Sequence, residues 1–116
     1  MDDSAGRRPT ILIVEDVDWI RAGMRRSVES HGYRAVEASD LVEAVELTER
    51  ESPELILTEE NFPSFDAIIE YVRERRALRR VPVVVVNPDS EEGARHGDAR
   101  VLTSYEQIAP LLTSPR

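Results

Sequence analysis

The sequence predicts a doubly wound α/β domain, a parallel sheet with helices on both faces, and three observations carry that reading. Apolar runs recur at Ile11-Leu12-Ile13-Val14, Leu55-Ile56-Leu57 and Val83-Val84-Val85-Val86, each followed by a helical pattern or a turn. Runs of this length without polar alternation read as parallel strands buried on both faces. Each run stops abruptly at polar residues, namely Glu15-Asp16, Glu59-Glu60 and Asn87-Pro88. Strand and helix alternate five times, which with right-handed crossovers winds an open sheet in both directions. In such sheets the ligand crevice lies at the carboxyl ends of the strands, where the strand order reverses. The acids after the first and third strands are therefore expected to meet in one pocket.

Taken in order, residues 1–9 are polar and read as a disordered tail, residues 10–112 as one domain and residues 113–116 as a C-terminal tail. The first strand covers Thr10–Val14. Asp16 or Asp18 can cap a first helix reaching about His31, with Ile20, Met24 and Val28 on one face. Gly32 then ends it as a C′ glycine. Arg34–Glu37 forms a short second strand. Ser39 or Asp40 caps a second helix whose inward stripe is Leu41, Ala44, Val45 and Thr48. Pro53 precedes a third strand, Glu54–Thr58. Ser64 or Asp66 starts a third helix with Ile68, Ile69 and Val72 inward, and Pro82 opens the fourth strand.

The last third is thinner. Only Ser90–Arg95 has helical potential, boxed in by Pro88, Gly93 and Gly97, so a fourth helix is expected to be stunted. Ala99–Leu102 is the fifth strand. Ser104 and Gln107 make a capping box for a last helix, which Pro110 shortens by removing a hydrogen bond and crowding the preceding turn.

Composition bounds the function. The 116 residues fit one core. No apolar run is long enough to cross a bilayer, and the acidic start Met1-Asp2-Asp3 does not resemble a signal peptide. A cytoplasmic domain is expected. With no cysteine, disulfides and thiolate metal sites are excluded. A net charge of −8 argues against general affinity for nucleic acid or anionic membrane. All 15 basic residues are arginine. Arg73, Arg75, Arg76, Arg79 and Arg80 read as a solvated helix end or a local basic patch.

Two motifs stand out: the acidic pair Glu15-Asp16, and the run Glu59-Glu60-Asn61-Phe62-Pro63-Ser64-Phe65-Asp66-Ala67, which has the form acid-x-x-apolar-Pro-x-apolar-Asp-small. With Val81-Pro82 opening the fourth strand, the chain resembles the receiver domain of two-component response regulators over about residues 9 to 112. The resemblance implies a flavodoxin-like five-stranded sheet of order 2-1-3-4-5. It also implies an aspartate ending strand three that takes a phosphoryl group from a histidine kinase. The acidic pair and that aspartate would hold Mg²⁺, with a backbone carbonyl two residues on. A Ser or Thr after strand four and a Lys after strand five would contact the phosphoryl group, and an aromatic in strand five would report the state.

Carried across position by position, Glu15 and Asp16 match the acidic pair. The acceptor falls on Glu59, the metal carbonyl on Asn61 and the loop proline on Pro63. The Ser/Thr position is Asn87, the lysine position Ser104, the proline after it Tyr105, and the switch aromatic Val101. An aspartyl nucleophile must present its oxygen in line, and misplacement by about 1 Å can cost ~100-fold. Glutamate is one methylene longer. Loss of a fixed positive charge such as the lysine commonly costs roughly 3–4 kcal/mol. Asn87 can still donate through its amide.

The expected function is a stand-alone pseudo-receiver in a phosphorelay, acting through protein–protein interaction without aspartyl phosphorylation and without enzymatic activity. Its partner would be a histidine kinase, another receiver or an output protein. The alternatives are a competent receiver using Glu59 or Glu60 as acceptor, and a small Mg²⁺-dependent phosphohydrolase. The last lacks both a general acid or base and a phosphate-cradling glycine loop. Glu15, Asp16 and Glu59 crowd three carboxylates, which either raise one another's proton affinity or take a weakly held Mg²⁺ together with Asn61. Strand alternation puts Leu55, Leu57 and Glu59 on one face, favouring Glu59 over Glu60 as the inward acid. Trp19 either lines the pocket or is a half-exposed first-turn aromatic. His31 reads as a helix C-terminal residue, and Phe62 and Phe65 as packing anchors.

Overall fold

The computed structural model describes residues 8–59, 62–91, 93–97 and 99–112. The strands are β1 (Thr10–Val14), β2 (Arg34–Ala38), β3 (Leu55–Glu59), β4 (Val83–Val86), β5 (Arg95–His96) and β6 (Ala99–Leu102). The helices are α1 (Asp18–Ser30), α2 (Leu41–Glu51), α3 (Phe65–Arg73) and α4 (Ile108–Leu112). The sheet order is β2-β1-β3-β4-β6-β5. Every pair is parallel except β5 with β6. The first five positions are the expected order 2-1-3-4-5, with β6 as the fifth strand of the sequence reading.

Strand alternation splits the core into two layers. Leu12, Val14, Ile56, Val85 and Val101 pack on the side of α2 and α3 with Ala44, Leu47, Ile68 and Val72. Ile11, Ile13, Leu55, Leu57, Val84 and Leu102 face α1 and α4 through Met24, Val28 and Ile108. The central strands are buried on both faces, as their unbroken apolar sequence requires. Each such side chain contributes about 1.5–3 kcal/mol of transfer free energy, so the sheet is the stable frame on which the loops are carried.

Several expectations are corrected. The fourth helix does not form among the described residues. Arg95–His96 instead pairs antiparallel with Arg100 and Ala99. Gly97, at positive φ, supplies the left-handed residue of the hairpin turn, and Gly93, also at positive φ, breaks the helical conformation before β5. Neither Asp16 nor Asp18 caps α1: its N-cap is Val17, with no side-chain cap hydrogen bond, and Asp18 sits in the first turn. Asp40 does cap α2, accepting from the Glu43 N–H at 2.8 Å. Leu47 is buried on α2, whereas Leu41 and Val45 are only partly covered. Ser64 is the N-cap of α3 but makes no side-chain cap bond. The last capping box shifts by one residue, since Gln107 Oε1 accepts from the Thr103 N–H at 2.8 Å and Ser104 makes no side-chain cap bond. Pro110 is the third residue of α4, where its missing N–H belongs to the first turn and leaves the helix intact.

Candidate functional site

The site is built where β1 and β3 release the chain at their carboxyl ends. Residues 11, 13 and 15 alternate onto the α1 side, so Glu15 follows Ile11 and Ile13 inward and is 1% exposed. Its backbone N–H still extends the ladder, donating to the Ala38 carbonyl at 3.0 Å. Its Oε2 accepts from the Val17 N–H at 2.9 Å, which turns the chain into α1. Its Oε1 is buried without a hydrogen-bond partner. Burial pushes the Glu15 carboxyl above its ordinary value, and Asp16 and Glu59 add to the shift by repulsion. Asp16 itself is exposed.

Arg21 is a part of this corner that the sequence reading missed. Its Nη1 donates to the Glu15 carbonyl at 2.8 Å, its Nη2 to Asp18 at 2.7 Å and its Nε to Glu37 at 3.2 Å. One guanidinium thus ties the acidic loop, α1 and β2 together. The only sequence signal was the i, i+3 spacing from Asp18. Thr58 was missed as well: its hydroxyl is buried without a partner, one residue before Glu59 and on the opposite face.

Glu59 ends β3 on the face of Leu55 and Leu57, as alternation requires, and lies opposite Val86 of β4. It borders a cavity of about 650 Å³ whose walls include Trp19, Met24, Asn87, Asp89 and Tyr105. Trp19 stands on the rim and is 76% exposed, more open than a half-buried first-turn aromatic. Asn87 begins an Asx turn, with Oδ1 accepting from the Asp89 N–H at 3.0 Å, and its own N–H donates to the Leu102 carbonyl at 2.8 Å. Ser104 is exposed, and Val101 is buried on the α2 and α3 side, where its N–H donates to the Ala94 carbonyl at 3.1 Å. Phe62 and Phe65 are buried anchors, and His31 Nδ1 lies 2.8 Å from the Ser27 carbonyl at the end of α1.

Among the described residues no three acidic or histidine side chains are gathered closely enough to hold a metal ion. Glu15, Asp16 and Glu59 are neighbours where β1 and β3 end, close enough that Asp16 and Glu59 both act on the Glu15 carboxyl. Asn61 and Glu60 lie outside the described residues, as do residues 1–7 and 113–116 of the two tails. No described helix is long and apolar enough to cross a membrane.

The fold is shared with solved structures. A sensor protein from Polaromonas sp. JS666 superposes with a TM-score of 0.72 at 20% identity, covering 91% of this chain and 94% of that one. The chemotaxis protein CheY4 of Vibrio cholerae gives 0.63 at 20% identity, covering 73% and 72%. At these identities the likeness establishes the fold. In sequence, the model of the response regulator receiver domain matches residues 11–99. The chain belongs to the response regulator receiver family.

Among its relatives, the KDP operon transcriptional regulatory protein KdpE of Escherichia coli (strain K12) is 37% identical over 82 residues, 71% of this chain and 36% of KdpE. The polar-differentiation response regulator DivK of Brucella ovis is 26% identical over 107 residues, covering 87% of both chains. The chain spans little more than a third of KdpE and of the Bacillus subtilis regulator YxdJ, 36% and 35% of their lengths.

Proposed function

We propose that this chain is an atypical receiver that signals by binding a protein partner, a histidine kinase, another receiver or an output protein, without aspartyl phosphorylation. The observation that carries the reading is the acceptor position itself. Glu59 closes β3 on the cavity side, and the chain has no lysine with which to neutralise a phosphoryl group. A glutamate there carries its charge one methylene further out, so its oxygen misses the in-line position that transfer demands. Ser104 and Val101, standing for the lysine and the switch aromatic, give a bound phosphoryl group no charge partner and no rotamer to move. The output is therefore a surface, held in one conformation. Any Mg²⁺ at Glu15, Asp16, Glu59 and Asn61 is weakly held in this reading, with waters completing its shell.

The test is intact mass after incubation with Mg²⁺ and acetyl phosphate, with Trp19 fluorescence followed in parallel. The expected result is an unchanged mass. Gain of one phosphoryl group, lost in Glu59→Gln, would make the chain a competent receiver with a glutamyl acceptor; gain retained in Glu59→Gln would point to Glu60. Phosphate release from a small ester is expected to stay at the uncatalysed rate, since the sequence has no phosphate-cradling glycine loop.

A further inference from the structure

Five of the chain's 15 basic residues, Arg73, Arg75, Arg76, Arg79 and Arg80, fall within residues 73–80, in a protein whose net charge is −8. All five are exposed. They are not an unstructured run. They occupy the end of α3 and a 3₁₀ turn at Arg76–Leu78 that leads into β4. The Arg75 guanidinium lies over the Tyr71 ring, 3.9 Å from its centroid, and Nη1 is 3.5 Å from the Tyr71 carbonyl. Arg79 Nε donates to the Arg73 carbonyl at 3.3 Å. Both carbonyls belong to the last turn of α3, where the helix supplies no partner. Both guanidiniums are thereby fixed in place; Arg75 also pairs with Glu49 at 4.0 Å, and Arg79 keeps further N–H donors for other acceptors.

Beside Arg79 is a cavity of about 220 Å³ lined by Ile69, Val72, Val81 and Val83 together with Arg73 and Arg79. An apolar lining beside guanidiniums selects a ligand that is apolar in the middle and anionic at its sides. Planar guanidiniums pair two-pronged with carboxylates, and the cavity has room for one aliphatic side chain. A nucleic acid fits less well. Its phosphates find nothing in an apolar cleft, and a long polyanion meets the repulsion of the whole molecule. A short acidic segment feels chiefly the charges within about 10 Å at ordinary salt.

We infer that this groove is a docking site for an acidic segment of a protein partner that carries an aliphatic residue between carboxylates. The groove lies at the amino-terminal edge of the sheet, away from Glu59, and the inference stands whether or not Glu59 accepts a phosphoryl group.

The test titrates the whole chain with acetyl-Glu-Leu-Glu-Glu-Leu-Glu-amide and follows backbone amide shifts by NMR. Shifts are expected at Ile69, Val72, Val81 and Val83, with affinity falling as salt rises. Replacing both peptide leucines by serine should weaken binding about tenfold, and so should Arg76→Glu with Arg80→Glu, two exposed changes that leave the described hydrogen bonds of Arg75 and Arg79 in place. Three results would each overturn the inference: no shifts at the groove, equal binding of the serine peptide, or an oligothymidylate of similar charge binding as tightly as the leucine peptide. Self-association in sedimentation that the peptide does not compete away would assign the face to a second copy instead.

Discussion

Glu15 is a charged side chain in a place where charge is costly, and its pH dependence has a definite sign. Its carboxyl titrates above the ordinary value of 4.5 because of burial, then the close approach of the Asp16 carboxyl and repulsion from Asp16 and Glu59, which outweigh the lowering effect of the Val17 N–H. The folded chain therefore holds this proton more tightly than the unfolded chain does. That contribution is complete below about pH 4.5 and is lost as pH rises through the elevated folded value. Ionisation of this group opposes folding. Glu15→Gln is expected to raise the melting temperature by a few degrees at pH 7 in metal-free buffer and by less near pH 4, as calorimetry at both values would read. An equal shift at the two pH values would remove the charge explanation. At the same scale, Asp40→Ala loses the side-chain oxygen that caps the start of α2 and is expected to cost about 1 kcal/mol in urea titration.

Elements differ in how plainly the sequence announced them. The strands were legible because a doubly covered strand has to be apolar throughout, and Leu55-Ile56-Leu57 could be little else. Glu59 was placed by period-two alternation alone. The start of α1 was misread because Asp16 and Asp18 both look like caps, whereas Glu15 takes the Val17 N–H from inside the protein. The fourth helix was misread because helical composition in Ser90–Arg95 yields to pairing with β6, a long-range choice that no local propensity reveals. Arg21 escaped notice because its three partners lie on α1, β2 and the β1 loop.

Two substitutions test elements directly. Gly32 sits at φ +90 with nothing within 4 Å of the point a Cβ would occupy, so Gly32→Ala should cost about 1 kcal/mol from backbone conformation alone. Ile108 is fully buried in a helix of five residues, and Ile108→Ala should cost roughly 2–5 kcal/mol and release α4. Chemical denaturation measures both.

For the molecule as a whole, stability is graded from the middle of the sheet outward. β1 and β3 carry partners on both sides, while β5 offers two residues and one neighbour. Native-state hydrogen exchange is expected to find the β1 and β3 amides opening only with global unfolding, and those of β5 and its turns opening far earlier. Uniform protection across all six strands would contradict this grading.

The reversed outer strand has a consequence for crowded solutions. A sheet whose last strand runs parallel exposes a full row of backbone donors and acceptors, which a neighbour can continue indefinitely. Here the row is cut to Arg95 and His96 and turned back on itself. At the far side, Glu37 of β2 is held by Arg21 and Arg25 of α1. Short length and charge are the devices by which sheets avoid joining edge to edge. The short reversed strand at one margin and the charges along β2 at the other discourage edge-to-edge polymerisation.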